Sequence, residues 1–131
     1  MSILEQYTIE LTESLKIDEM NVKDMAMKMP TIKHLWVTRL IQAKRELSKL
    51  EGQKEIAIDK ISKQIQENSK VILSDIGAKR AAENHEICQK IYAAIDEQKI
   101  IIDYLEKVEK ILGQTSYDIS NIVKLIQLET L

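Results

Sequence analysis

Apolar residues recur along this chain at helical spacing, with polar residues filling the positions between them. Ile3, Leu4, Tyr7, Leu11 and Leu15 share one side of a helix predicted over residues 2–16. A break is expected around Ile17-Asp18-Glu19. Residues 21–29 then read as a short helix, capped by Asn21 with Asp24 three residues on. Pro30 is expected to stop this element and open the next, because a proline costs nothing in a first helical turn. From Thr31 the pattern lengthens. Trp36, Leu40, Ala43, Leu47, Leu50, Lys54, Ala57 and Ile61 alternate steps of four and three, a heptad seam that Ile58 and Ile65 continue after a slight drift. The pattern breaks over 66–78, with Glu67-Asn68-Ser69 and Gly77 as irregular points. A second long helix is predicted from about Lys79 to Leu112, with a seam of Asn84, Ile87, Ile91, Ala94, Gln98, Ile101, Leu105, Val108 and Leu112. Cys88, Ile95 and Ile102 widen its apolar face. Gly113 sits where a C-cap belongs, and Thr115 or Ser116 can cap a last helix over about 117–129 that buries Ile119, Ile122, Val123 and Ile126.

The expected fold is therefore all-α: two long amphipathic helices plus short N- and C-terminal helices. It forms a single helical domain over 1–131, divided into an N-terminal segment at 2–30, a first long helix at 31–68, and a second long helix with the C-terminal helix at 79–131. The apolar faces are too wide for one partner helix each, which favours a bundle completed by other copies, a helical homo-oligomer with coiled-coil character. Lys54, Asn84 and Gln98 interrupt the seams. They either set register and oligomeric state or lie at solvated edges.

Composition sharpens this picture. Among 131 residues there are three glycines, one proline and no phenylalanine, which suits long helices and disfavours a turn-rich β-sandwich or barrel. No apolar run is long enough to span a membrane, and Met1-Ser2-Ile3-Leu4-Glu5 lacks the features of a signal peptide, so a cytoplasmic location is expected. A lone cysteine forms no internal disulfide, in keeping with a reducing compartment.

Charge changes it further. The net charge of −2 hides a basic stretch between two acidic ones: residues 1–20 carry five acids and one lysine, 21–63 carry ten Lys/Arg and five acids, and 64–131 carry eight and eleven. At 100° per residue, Arg45, Lys49, Lys60 and Lys63 fall within about 60° of one another, opposite the seam. Glu51, Glu55 and Asp59 occupy a different sector. The commoner meaning of such a stripe is a solvated helix face. The functional one is a surface that tracks a phosphate backbone without reading sequence. Trp36, after Lys33 and His34, is core if its seam position governs and a base-stacking platform if it is exposed. Met20, Met25, Met27 and Met29 either pack on the chain's own core or offer an adaptable partner surface.

Catalytic chemistry has little to work with. The glycines at 52, 77 and 113 are too far apart for a phosphate loop. His85 and Cys88 supply two ligands where structural zinc needs four, and no oxyanion donor accompanies them as a catalytic pair. Neither an enzyme, a metal nor a cofactor is expected.

The string Met29-Pro30-Thr31-Ile32-Lys33-His34-Leu35-Trp36, followed by Lys44-Arg45-Glu46-Leu47 and Leu50-Glu51-Gly52-Gln53-Lys54, resembles the UvsY-like recombination mediators of T4-type phages. Ile17-Asp18 and the short helix before Pro30, then Asp103-Tyr104-Leu105-Glu106 and Ser116-Tyr117-Asp118-Ile119-Ser120-Asn121-Ile122, also look like that family, in order, over most of the chain outside 66–85. The resemblance implies an all-α, ring-like homo-oligomer that binds single-stranded DNA. It also implies that the protein helps load a RecA-like recombinase onto DNA covered by a single-strand-binding protein, in the host cytoplasm and without catalysis. Carried over by position, the DNA-contacting residues would be Lys44, Arg45, Lys49, Lys54, Lys60 and Lys63, joined by Lys33 and Arg39 upstream. Where the family tends to have a basic-aromatic stretch after the first long helix, this chain has Ile58-Asp59-Lys60-Ile61-Ser62-Lys63. The alternative from another class is a helical scaffold that binds only proteins, which the acidic total charge and the scarcity of aromatics favour.

Overall fold

The computed structural model describes residues 1–71 and 73–130. Within them lie four helices and no strand: α1 (Ile3–Ser14), α2 (Val22–Asn68), α3 (Asp75–Glu83) and α4 (Glu86–Glu129). The break expected over 66–78 contains Ile72, and the last segment ends in Leu131; both residues lie outside the described ones. The chain packs as two units, Met1–Ile41 with Ile101–Leu131, and Gln42–Ile100. The long helices α2 and α4 contribute to each.

In the first unit, α1 starts on a reciprocal capping box. The Glu5 amide donates to Ser2 Oγ at 3.1 Å, and the Ser2 amide donates to Glu5 Oε2 at 3.3 Å. The turn after α1 is held by Asp18, whose Oδ1 accepts from the amides of Met20 and Asn21 at 2.8 and 3.0 Å. Asn21 does not cap forward onto Asp24, as the spacing suggests. Its side-chain Oδ1 accepts from the Asp18 backbone amide at 2.8 Å and its side-chain Nδ2 donates to the Lys16 backbone carbonyl at 2.8 Å, while Asp24 pairs with Lys28.

Two expected boundaries are absent. Pro30 lies inside α2 and does not end it. An interior proline costs about 3 kcal/mol. Buried Met25, Met29 and Trp36 on the same helix offset this, each worth about 1.5–3 kcal/mol, and Pro30 itself is exposed. Gly113 likewise lies inside α4, at negative φ, and is no cap. The buried row Leu105, Val108, Leu112, Thr115 and Ile119 runs past it. That burial outweighs the roughly 1 kcal/mol a helical glycine costs. Thr115 and Ser116, expected as caps, instead donate back to the carbonyls of Ile111 and Leu112 at 2.9 and 3.2 Å.

The same unit settles the Trp36 alternative: only 3% of it is exposed. Tyr7 of α1 meets it edge to face, with centroids 5.3 Å apart. The Met-rich segment divides, with Met25 and Met29 buried and Met20 and Met27 exposed.

In the second unit, Ile61, Ala82 and Cys88 form a buried cluster, with Ala57, Ile58, Ile65 and Tyr92 packed against it. Ser74 caps α3, its Oγ accepting from the Gly77 amide at 3.0 Å. A Cβ on Gly77 would stand 3.2 Å from that oxygen, so the glycine gives the cap room. Asn84, expected in the second seam, is the C-cap of α3. Because α4 starts only at Glu86, its first buried residues are Cys88 and Ile95, and Ile87 is left 53% exposed. Gln98 is half-buried and donates its Nε2 to the Ala43 carbonyl at 3.0 Å, which ties α4 to α2 within this unit.

Candidate nucleic-acid interface

The eight basic residues singled out in the sequence do not form one group. Lys33 and Arg39 belong to the first unit and the other six to the second. Lys33 is half-buried at the rim of an apolar cavity of about 220 Å³ floored by Trp36, Leu40, Leu105 and Leu112, with Glu109 also at the rim. Arg39 is held by one acid and two rings. Its Nη1 and Nη2 donate to Glu10 Oε2 and Oε1 at 2.9 and 3.2 Å, a bidentate pair. Its guanidinium carbon lies 4.8 Å from the Tyr7 ring centre and 4.6 Å from that of Trp36. The seam phase explains this: counted from Arg45, Arg39 falls at about 120°, on the apolar side.

Lys54 also sits on the seam side. It is half-buried, with Nζ 6.0 Å from the Tyr92 ring centre. The two line a cleft with Glu55, Asp59, Lys79 and Glu83. Tyr92 holds its proton above the usual tyrosine range, first because it is desolvated, then because the carboxylates of Glu83 and Glu55 would repel a phenolate.

The remaining four define a surface. Arg45, Lys49, Lys60 and Lys63 all lie on α2 in the second unit and all are exposed. Lys63 reaches Asp59 at 3.4 Å, with both side chains about two-thirds exposed. Such a pair is worth about 0.2–1 kcal/mol and is readily exchanged for a phosphate. Arg45, Lys49 and Lys60 make no ion pair among the described residues. At 1.5 Å per residue the row runs about 27 Å along the helix. Lys44 is exposed too, but it points into the sector of Glu51 and Glu55, about 100° from Arg45.

The stripe is not purely cationic. Ile56 lies about 20° from Arg45 and Lys63 on the wheel and is 70% exposed. With Ile87 of α4 it borders an open groove of about 360 Å³, lined also by Gln53, Ala57, Lys60, Ile61 and Gln64. Ile56 went unmarked in the charge count, although the wheel that groups the lysines puts it among them. Ile87 could not be found that way, because its seam position predicted burial.

Among the described residues, no three His, Cys, Asp or Glu side chains gather as a metal site, and no helix is long and apolar enough to cross a membrane. Cys88 is fully buried and His85 exposed.

No protein-family model matches the chain, and no curated protein sequence matches it. Solved structures do. The chain superimposes on the bacteriophage T4 recombination mediator protein UvsY with a TM-score of 0.82 at 16% identity, covering 98% of this chain and 99% of that one. A second crystal form of the same T4 protein gives 0.81 at 16% identity, with both chains fully covered. A third gives 0.76 at 17% identity, again over both whole chains. The chain thus has the fold of phage T4 UvsY over essentially its full length, although five residues in six differ.

Proposed function

We propose that this protein is a non-enzymatic recombination mediator. It binds single-stranded DNA through the basic face of α2 and, as a homo-oligomer, promotes loading of a RecA-like recombinase onto DNA covered by single-strand-binding protein. The observation that carries this reading is the row Arg45, Lys49, Lys60 and Lys63, exposed on one helix face, with the Lys63–Asp59 contact as the one ion pair made by these four among the described residues. The likeness to a protein named as a recombination mediator supports the biological role. Multivalency supplies the mechanism. One subunit's row is a weak site; several copies on one strand act at high effective concentration, so avidity exceeds the single-site affinity by about 10²–10⁴. Support for self-association comes from the first unit, where Val37, Ile41, Ile111, Leu125 and Leu128 are 41–66% exposed and available to a second copy. The site of action would be the cytoplasm of the host cell.

Titrating labelled oligo-dT with the protein at two salt concentrations tests the reading. Binding should be tolerant of sequence and should weaken steeply with salt, as phosphate neutralisation requires. Binding that survives high salt undiminished would rule out phosphate tracking. The scaffold reading, in which the exposed apolar residues bind only proteins, predicts a folded sample that ignores DNA at low salt.

A further inference from the structure

Ile56 is 70% exposed on the basic face of α2. A solvated basic helix face needs no isoleucine, and burying one is worth about 1.5–3 kcal/mol that this helix forgoes. Ile87 reaches the same groove from α4, itself 53% exposed. The two isoleucines stand beside Lys60, within the row that continues to Lys49 and Arg45. The groove's volume of about 360 Å³ falls in the range of small-ligand sites, roughly 300–1,000 Å³. Its walls are mostly apolar, with two amide side chains, Gln53 and Gln64, and one cation. Phosphates alone would use none of this except Lys60.

We propose that the groove between Ile56 and Ile87 receives the bases of the bound strand while Lys49, Lys60 and Lys63 hold its phosphates. The occupant is single-stranded DNA, chosen by charge complementarity. Lys60 in the groove wall and the exposed Lys49 and Lys63 of the same α2 row match a polyanion, and only an unpaired strand can turn its bases toward an apolar wall while its backbone follows the charges. Gln53 and Gln64 each offer donors and an acceptor, so they meet base edges of either kind without selecting one. The row thereby distinguishes a strand that carries bases from a bare phosphate chain, which electrostatics alone would not do. This inference rests on the DNA-binding reading above and adds to it where the bases go.

The test compares labelled oligo-dT with an abasic strand of equal length and charge, using the full chain and the Ile56→Gln, Ile87→Gln double variant. Glutamine is a good helix former and adds no charge, so the helix is retained, as circular dichroism would verify. The wild type should bind oligo-dT about five- to tenfold more tightly than the abasic strand, as partial burial of two isoleucines implies. The double variant should lose that preference while keeping the wild-type salt slope. Equal wild-type affinity for the two strands overturns the inference and leaves the DNA-binding reading intact; this arm decides the matter even if the variant misfolds. A preference that persists in a folded double variant also overturns it. Failure of both strands to bind at low salt removes both proposals. Should the groove be covered by an acidic protein segment or a second copy of the chain, the two strands bind equally and the double variant changes sedimentation instead.

Discussion

Removing the Arg39 guanidinium tests whether this residue serves packing or DNA. In the structure it bridges α1 and α2, bidentate to Glu10 and stacked against Tyr7 and Trp36. The Arg39 side chain is 20% exposed and that of Glu10 45%, so their charge term is that of a pair near the surface, about 1 kcal/mol. Each ring contact adds about 0.5–1 kcal/mol. Arg39→Ala should therefore cost about 2–3 kcal/mol and Glu10→Ala about 1 kcal/mol. The double variant should cost little more than Arg39→Ala alone, a coupling of about 1 kcal/mol. Urea unfolding at fixed protein concentration, followed by the fluorescence of the one tryptophan, is the natural assay, because Trp36 lies against the groups being removed. The expected corollary is that Arg39→Ala, under conditions where it is folded, binds oligo-dT within twofold of wild type. Strict additivity of the two substitutions would refute the pairing argument. A loss of DNA affinity as large as that from Lys60→Glu would return Arg39 to the DNA-binding set.

Three further outcomes follow from the packing. Pro30→Ala should stabilise the protein by about 1–2 kcal/mol in the same assay, the helix-interior penalty less the entropy regained by the unfolded chain; destabilisation would mean that Pro30 aids α2. Gly113→Ala should add about 0.5–1 kcal/mol, since a Cβ there meets nothing within 4 Å, and a fall in Tm would contradict that open space. Cys88→Ser should cost about 1–3 kcal/mol, because it puts a hydroxyl among Ile61, Ala82 and their apolar neighbours, whereas Cys88→Ala should cost less.

Much of the fold was legible because helical periodicity records which face is buried. Trp36, Leu40, Ala43 and Ile61, read as a seam, are buried, and so are Leu105, Val108 and Leu112. The boundaries were less legible. Pro30 and Gly113 are strong local signals, but each acts on one residue, while the buried rows that carry α2 and α4 through them sum over several turns. Sequence offers no local mark of that sum. The seam from Asn84 erred because it was extended back across a helix end: Asn84 caps α3, and the buried residues restart one position later at Cys88. For the candidate interface, angular position separated the basic residues better than their number did. Lys54 and Arg39, at seam angles, are drawn toward aromatic rings; Trp36 is three residues from Arg39 on the same helix, but Tyr7 and Tyr92 come from other helices and only the fold brings them in. Nothing in the spacing announced Ile87, which becomes exposed only once α3 and α4 are known to be separate helices.

The central claim is that an exposed row on α2 binds a phosphate backbone. Its most direct test is fluorescence anisotropy of labelled oligo-dT at low and moderate salt, with wild type and with Arg45, Lys49, Lys60 and Lys63 all changed to Glu. Wild-type binding should be micromolar or tighter at low salt and should fall steeply as salt rises. The four-site variant should keep its helix content and lose binding altogether. Unchanged affinity in that folded variant, or no binding by the wild type at low salt, would contradict the account.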